Sequence, residues 1–120
     1  MQDIPNHLSS GFISEKEACH YLQKKGLTLI TQNYRCAYGE LDLIMRDKDV
    51  LVFVEVRLRS HRHYGDAFES IDSRKQQKLL KSATHYLQKY RLLDKIDCRF
   101  DVIGFSNSTI EWIKDAFSYE

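Results

Sequence analysis

Paired cysteines are missing from this 120-residue chain, and their absence excludes two kinds of small stabilised protein. Three cysteines lie far apart, at Cys19, Cys36 and Cys98, with no CxxC pair and no spacing to histidine that fits a zinc site. A disulfide framework and a structural zinc site are therefore not expected. A reducing, cytoplasmic compartment is the simplest setting for such a chain.

Long apolar runs, targeting signals and a strong charge of one sign are missing as well. No apolar run reaches the length of a membrane span, so no membrane partner is expected, and the N-terminus lacks the basic region and apolar core of a signal peptide. The net charge is +1, so any affinity for nucleic acid has to come from local clustering of charge. With 42% hydrophobic and 29% charged residues, the chain is expected to form one domain over residues 1–120, with a flexible polar leader at 1–8 that holds the only proline.

The spacing of apolar residues predicts a mixed α/β domain in the order helix, three strands, helix, two strands. Polar residues at 47–49 are typical of a turn, so the second and third strands are predicted to form a hairpin. The predicted elements are a helix from a cap at Ser9 or Ser10 to about Lys25, strands at 27–35, 39–46 and 50–59, a helix from Asp72 or Ser73 to about Tyr90, and strands at 98–105 and 109–113.

The strongest chemical signal is a set of acidic residues on the two strands of that hairpin. In a strand with two-residue alternation, Glu40 and Asp42 share a face with Ile44. A tight turn would place Glu40 opposite Glu55, whereas a slip of two residues would place Asp42 directly opposite Glu55. Both registers are expected to bring the acids together on one face of the sheet.

Carboxylates that face one another repel and need a positive partner. Arg57 supplies part of the compensation, and Mg²⁺ or Mn²⁺ held by oxygen ligands would supply more. Glu15 lies on the inward stripe of the first helix and is a candidate third acid, although an acid in the first turn is also favoured by the helix dipole. Two interpretations stay open: a metal-dependent active site, and a structural network of acids and arginines.

These segments resemble the YraN-like (UPF0102) family of small uncharacterised bacterial proteins, in order and over nearly the whole chain. The resemblance implies a restriction-endonuclease-like fold, in which helices flank a central mixed sheet, related to archaeal Holliday junction resolvases and other PD-(D/E)xK nucleases. The matching segments are Glu15-Lys16-Glu17-Ala18, Tyr21-Leu22 with Gly26, Asn33-Tyr34-Arg35, the run from Gly39 to Ile44, the run from Val52 to Arg57, Lys75 with Ala83 and Tyr86-Leu87, and the run from Arg99 to Val102.

The resemblance also implies catalytic and metal-binding roles. It places the metal-binding acids at Asp42 and Glu55, the motif lysine at Arg57 and the helical glutamate of the resolvases at Glu15. The chain departs from the pattern at two positions, because Arg57 stands in place of lysine and Leu41 in place of proline. Arginine stays protonated and cannot act as a base, but it can hold a phosphate or stabilise negative charge in a transition state.

Basic residues follow the third strand and populate the second helix. A basic patch beside an acidic site suits a phosphate backbone, although a solvated loop and helix face are an equally simple explanation. Lys75 is singled out by the resemblance. The predicted nucleic-acid contacts are Arg57, Arg59, Arg62, Lys75 and Lys78, near His61 and His63.

The favoured function is that of a nucleic-acid-binding protein of nuclease-like fold, with metal-dependent endonuclease activity on branched or processed DNA as the specific hypothesis. A non-catalytic DNA- or RNA-binding module and an interaction subunit of a DNA-processing assembly are the alternatives. A homodimer would suit an enzyme that cuts a two-fold junction. Asp101 is expected to be a structural partner of Arg99 or Arg35, and Trp112 to serve core or edge packing.

Overall fold

In a computed structural model, the backbone is described for residues 6–58, 71–106 and 109–119, and the side chains for 14–58, 71–105 and 109–119. A five-stranded mixed sheet lies between two helices, which confirms the predicted α/β architecture and is consistent with a restriction-endonuclease-like fold. The elements are α1 (Asn6–Lys24), β1 (Thr28–Cys36), β2 (Gly39–Asp47), β3 (Val50–Leu58), α2 (Ser73–Lys89), β4 (Asp97–Ser106) and β5 (Thr109–Phe117).

The two helices differ in how well their starts could be predicted. Helix α1 begins at Asn6, so residues 6–8 of the predicted leader are helical and the predicted cap at Ser9 or Ser10 is wrong. Serine is tolerated inside a helix, so its presence alone does not define a helix start. Helix α2 begins as predicted, because the Asp72 side chain accepts a 2.8 Å hydrogen bond from the Lys75 N–H.

The strands lie in chain order, β1-β2-β3-β4-β5. All neighbours are antiparallel except β3 and β4, whose parallel pairing requires a long crossover, and α2 lies within that crossover. Strand β5 runs to Phe117 rather than to the predicted end at Ile113. A bulge with a left-handed residue at Asp115 (φ 52°) lets the strand continue past polar residues that break the alternation.

The register of the β2–β3 hairpin is the slipped one of the two predicted. Asp47 pairs with Val50 and Leu43 with Val54, so Lys48 and Asp49 alone form the turn. Lys48 adopts the left-handed conformation (φ 57°) that such two-residue turns require. This register decides which acid of β2 faces Glu55.

Among the described residues, one helix packs on each face of the sheet. Helix α2 packs on a core that includes Ile44 and Phe53, and helix α1 packs on a core that includes Leu43 and Val52. Phe53 stacks on Phe100 with 5.2 Å between ring centroids, and its truncation to alanine would destabilise the fold by about 3–5 kcal/mol. In the described ranges, neither helix is long and apolar enough to cross a membrane.

Candidate active site

Asp42 and Glu55 lie opposite each other at the end of the β2–β3 pairing that is farther from the turn. The last pair in the ladder is Leu43 with Val54, and continuing the register by one residue brings Asp42 opposite Glu55. The backbone N–H of Val56 donates a 2.9 Å hydrogen bond to Asp42 Oδ2 and holds that carboxyl group in place. The structure therefore brings the two predicted metal ligands together.

Glu55 is a buried carboxyl group, with 5% of its surface exposed. Its Oε2 lies 3.1 Å from Arg57 Nη1 and 3.7 Å from Lys75 Nζ. Its Oε1 is buried and has no hydrogen-bond partner among the described residues. Burial, and then the charge of Asp42, raise the pKa of Glu55 to about 7, against the opposing effect of Lys75 and Arg57.

The pKa of Asp42 is raised as well, mainly by burial. The hydrogen bond from Val56 and a hydrogen bond shared with Glu55 favour its ionised form, so the two carboxyl groups titrate as a pair rather than independently. Lys75 lowers the pKa of both carboxyl groups, whereas Arg57 acts on Glu55. Lys75 is thus the cation that both acids share.

Glu15 approaches the pair from α1. Burial, followed by the charges of Asp42 and Glu40, raises its pKa to about 7, and a hydrogen bond with Asn33 opposes the rise. The predicted third acid therefore lies within electrostatic reach of Asp42.

The prediction that Glu40, Asp42 and Ile44 share one face is wrong. Leu41 packs in the same core as Ile44, on the α2 side, so the two-residue alternation breaks at Asp42. Asn33 of β1 lies opposite this point, between two regular pairs, in the left-handed conformation (φ 55°). Because of this break, Glu40 does not share the face of Ile44, and Asp42 interacts both with Glu55 of β3 and with Glu15 of α1.

Glu40 itself turns to the surface. It forms a 3.2 Å ion pair with Arg35, whose side chain is 81% exposed, so the pair contributes little to stability. The tight-turn register, which would have placed Glu40 opposite Glu55, is not the one observed.

Only part of the predicted basic surface lies within the described residues. Arg59, Arg62, His61 and His63 lie outside the described residues. Helix α2 carries a run of cations with no acidic residue between its bounds, namely Arg74, Lys75, Lys78, Lys81 and Lys89. Lys75, the second of these cations, contacts Glu55, a contact that sequence reasoning missed because it depends on how α2 docks on β3.

Asp101 has a structural role, as predicted. This carboxyl group is 1% exposed and accepts hydrogen bonds from Arg99, the indole of Trp112 and the N–H of Asp115. Arg99 also contacts Asp47 at 3.1 Å. All of these partners are protein groups, so the network needs no metal.

Within the described ranges, no group of three or more histidine, cysteine, aspartate or glutamate side chains is arranged to hold a metal ion. Among the residues that the structure describes, the donor set is therefore the Asp42–Glu55 pair. Mg²⁺ is commonly bound through one or two carboxylates, with waters and substrate phosphates as its other ligands, so two carboxylates suffice for this kind of site.

Comparisons with known proteins agree on one family. A sequence model of the uncharacterised protein family UPF0102 matches residues 14–105. A UPF0102 protein of Coxiella burnetii is 51% identical over 111 residues, which cover 92% of each chain. UPF0102 proteins of Nitrosococcus oceani and Legionella pneumophila are 46% and 48% identical, over 95% of each chain in the first case and over 89% of this chain and 92% of the relative in the second.

Proposed function

Since this chain belongs to the uncharacterised protein family UPF0102, we propose its function from the geometry of its acidic site: a nucleic-acid-binding protein that hydrolyses phosphodiesters with the help of Mg²⁺ or Mn²⁺. The observation that carries the proposal is the buried Glu55 carboxyl group beside Asp42. One oxygen of Glu55 has no hydrogen-bond partner among the described residues, and the charge of Asp42 opposes the ionisation of Glu55.

A carboxyl pair of this kind needs either a proton or a cation between its members. At neutral pH a pKa of about 7 leaves Glu55 poised between the two states, so a divalent cation can displace the proton at little cost. A purely structural acid is expected to look like Asp101, whose oxygens are all satisfied by protein donors. Glu55 differs from Asp101 in this respect, which favours a ligand role.

Each residue of the site then has a separate role in the proposed reaction. Asp42 and Glu55 would hold the metal ion, which when bound polarises a phosphodiester and eases deprotonation of a water molecule. Arg57 stays protonated and stabilises negative charge on the phosphate, and Lys75, half exposed beside Glu55, can bind the same phosphate. Glu15, with a pKa of about 7, can accept or donate a proton near neutral pH.

Nucleic acid is the proposed substrate because the site lies beside a helix that is basic along its length. Phosphate contacts from Lys75 and Lys78 would give salt-dependent binding without base specificity. DNA is the favoured form, and a two-fold dimer would present two sites to a branched substrate. The free state of Cys19, Cys36 and Cys98 accords with a cytoplasmic setting.

The test is cleavage of branched, flapped and single-stranded DNA with Mg²⁺ or Mn²⁺, with EDTA as the blank. Asp42→Ala and Glu55→Ala are expected to abolish cutting, and Glu40→Gln, at a partly exposed acid on the same strand that is paired with Arg35, is expected to retain it. Cutting that survives both alanine substitutions would refute the site. Absence of cutting, together with salt-sensitive DNA binding in all variants, would instead support a binding module, a function favoured by the arginine at position 57.

A further inference from the structure

A second feature of the molecule lies on the outer side of α2, away from the carboxyl pair. It is a groove of about 450 Å³ whose two prominent aromatic side chains come from the β1–β2 turn and from the C-terminal segment after β5. The groove is lined by Tyr38, Gln77, Leu80, Lys81, Thr84, His85, Gln88 and Tyr119.

We propose that this Tyr38–Tyr119 groove binds a single-stranded segment of the nucleic acid by stacking bases on the two tyrosine rings. The inference deepens the proposed function and rests on its nucleic-acid-binding part, but not on cleavage. It concerns the contacts of a strand that continues past the Asp42–Glu55 pair.

The ring of Tyr119 is exposed and yet held in place. It keeps 43% of its surface exposed, while its hydroxyl donates to the Leu80 carbonyl at 3.1 Å and accepts from Thr84 Oγ1 at 3.0 Å. Its ring also contacts the edge of Phe100, at 5.6 Å between centroids. A ring fixed in this way loses little conformational entropy when a base stacks on it.

Tyr38 provides the second exposed ring, with 48% of its surface accessible. Its ring packs edge-on against His85, whose Nδ1 forms a 2.6 Å hydrogen bond with Tyr34 Oη. The turn that presents Tyr38 passes through Gly39 at φ 143°, a conformation that L-residues rarely adopt. Both rings are thus positioned by the fold itself.

The charge of the groove selects its occupant. Lys81 lines it, none of the eight lining residues is acidic, and α2 carries no acid within its bounds. Exposed aromatic rings beside cations match the two chemical parts of a nucleic-acid strand, its bases and its phosphates. Gln77 and Gln88 add amide groups that can hydrogen-bond to base edges without demanding one sequence.

The groove is also within reach of the carboxyl pair along the same helix. Six residues separate Lys75, which contacts Glu55, from Lys81, a rise of about 9 Å along α2. At roughly 3.4 Å per stacked nucleotide, the rise alone corresponds to about three nucleotides. A strand needs further nucleotides to pass around α2, because six residues at 3.6 per turn place the two lysines about 240° apart around the helix axis. A strand whose phosphate lies at Glu55 can therefore place nearby bases on the groove.

The experiment measures binding alone, in the Asp42→Ala background with EDTA, so that cutting has no influence on it. The probe is a fluorescent oligothymidine of about twelve nucleotides, followed by anisotropy at low salt. Tyr38→Ala and Tyr119→Ala are each expected to weaken binding by roughly 5- to 100-fold, the effect of losing one stacked base. Tyr38→Phe keeps the ring and is expected to bind like the parent protein.

Tyr90→Ala is the matched control, because Tyr90 is 52% exposed but lies outside the groove. Equal affinities for the Tyr38→Ala, Tyr119→Ala and Tyr90→Ala proteins, each shown to be folded by its urea midpoint, would overturn the inference. An abasic oligonucleotide of the same length that binds as tightly as oligothymidine would overturn it too, because it carries phosphates without bases. Tyrosine-dependent binding in a protein that never cuts DNA would leave this inference standing and remove only the catalytic part of the proposed function.

Discussion

Replacing Glu55 with glutamine is expected to stabilise the folded protein above pH 7 and to leave its stability nearly unchanged near pH 4. The carboxyl group has a pKa of about 7 in the folded state, against its ordinary value of 4.5 in an unfolded chain. Between these values the folded state binds the proton more tightly. The free energy of unfolding of the wild-type protein must therefore fall as the pH rises from 4.5 through 7.

The size of the effect follows from the two pKa values. They differ by about 2.5, and each pKa unit corresponds to about 1.4 kcal/mol, so ionised Glu55 destabilises the fold by at most about 3 kcal/mol. Solvent screening reduces this free energy only slightly, because Glu55 is 5% exposed. Glutamine keeps the shape and stays neutral, and the attraction of Lys75 and Arg57 is already contained in the pKa of about 7, so it makes no separate correction to this difference.

The assay is urea unfolding of both proteins at several pH values from 4 to 8, without divalent cations. The stability of Glu55→Gln relative to wild type should increase across this window and level off above pH 7. Added Mn²⁺ should stabilise the wild-type protein but not Glu55→Gln, and should therefore narrow the difference in stability between the two proteins. A difference that is flat with pH, or a variant less stable than wild type at pH 8, would refute the account of Glu55 as a poorly compensated acid.

Three further substitutions test other parts of the structure. Asp101→Asn should lower the free energy of unfolding by about 3–5 kcal/mol in urea titrations, because Arg99 loses its buried partner. Lys75→Met should raise the pKa of Glu55 further, as measured by NMR titration of the carboxyl carbon. Gly26→Ala should destabilise the protein by about 1–3 kcal/mol in urea titrations, because φ at this position is 104°.

Matched controls sharpen these three tests. Asp47→Asn removes the other, more exposed partner of Arg99 and should have a smaller effect than Asp101→Asn, and equal effects would contradict the structural role of Asp101. Lys75→Met should also raise the pKa of Asp42. Arg57→Met is the control, because it should leave the pKa of Asp42 nearly unchanged. A Gly26→Ala protein as stable as wild type would show that the helix end relaxes into another conformation.

Much of the fold could be predicted because its signals are local. Alternation within strands, helical spacing and the cap at Asp72 depend on residues close together in the chain, and the order of the described elements was predicted correctly. Errors occurred where tertiary pairing overrides local pattern. Strand β5 continues past Ile113 through a bulge at Asp115, a conformation stabilised by a hydrogen bond to Asp101 on the neighbouring strand.

The candidate site was predictable in composition but not in arrangement. Acids on two strands of a hairpin pointed to Asp42 and Glu55, yet either of two registers fitted the sequence. The contact of Lys75 with Glu55 joins residues twenty positions apart and depends on the docking of α2. The groove between Tyr38 and Tyr119 has no sequence signal, because the two rings come from opposite ends of the sheet order.

The sequence by itself determined which residues are candidates for the chemistry: two acids within an apolar hairpin, an arginine two residues after the second, and a helix rich in cations. Only the tertiary structure decided their relations. It placed Asp42 where the alternation of β2 breaks, buried Glu55 against a shared lysine, and satisfied Asp101 with protein donors. The physical reason is that charge and alternation are properties of neighbouring residues, whereas burial, pKa and hydrogen-bond satisfaction depend on groups that meet only when distant segments pack.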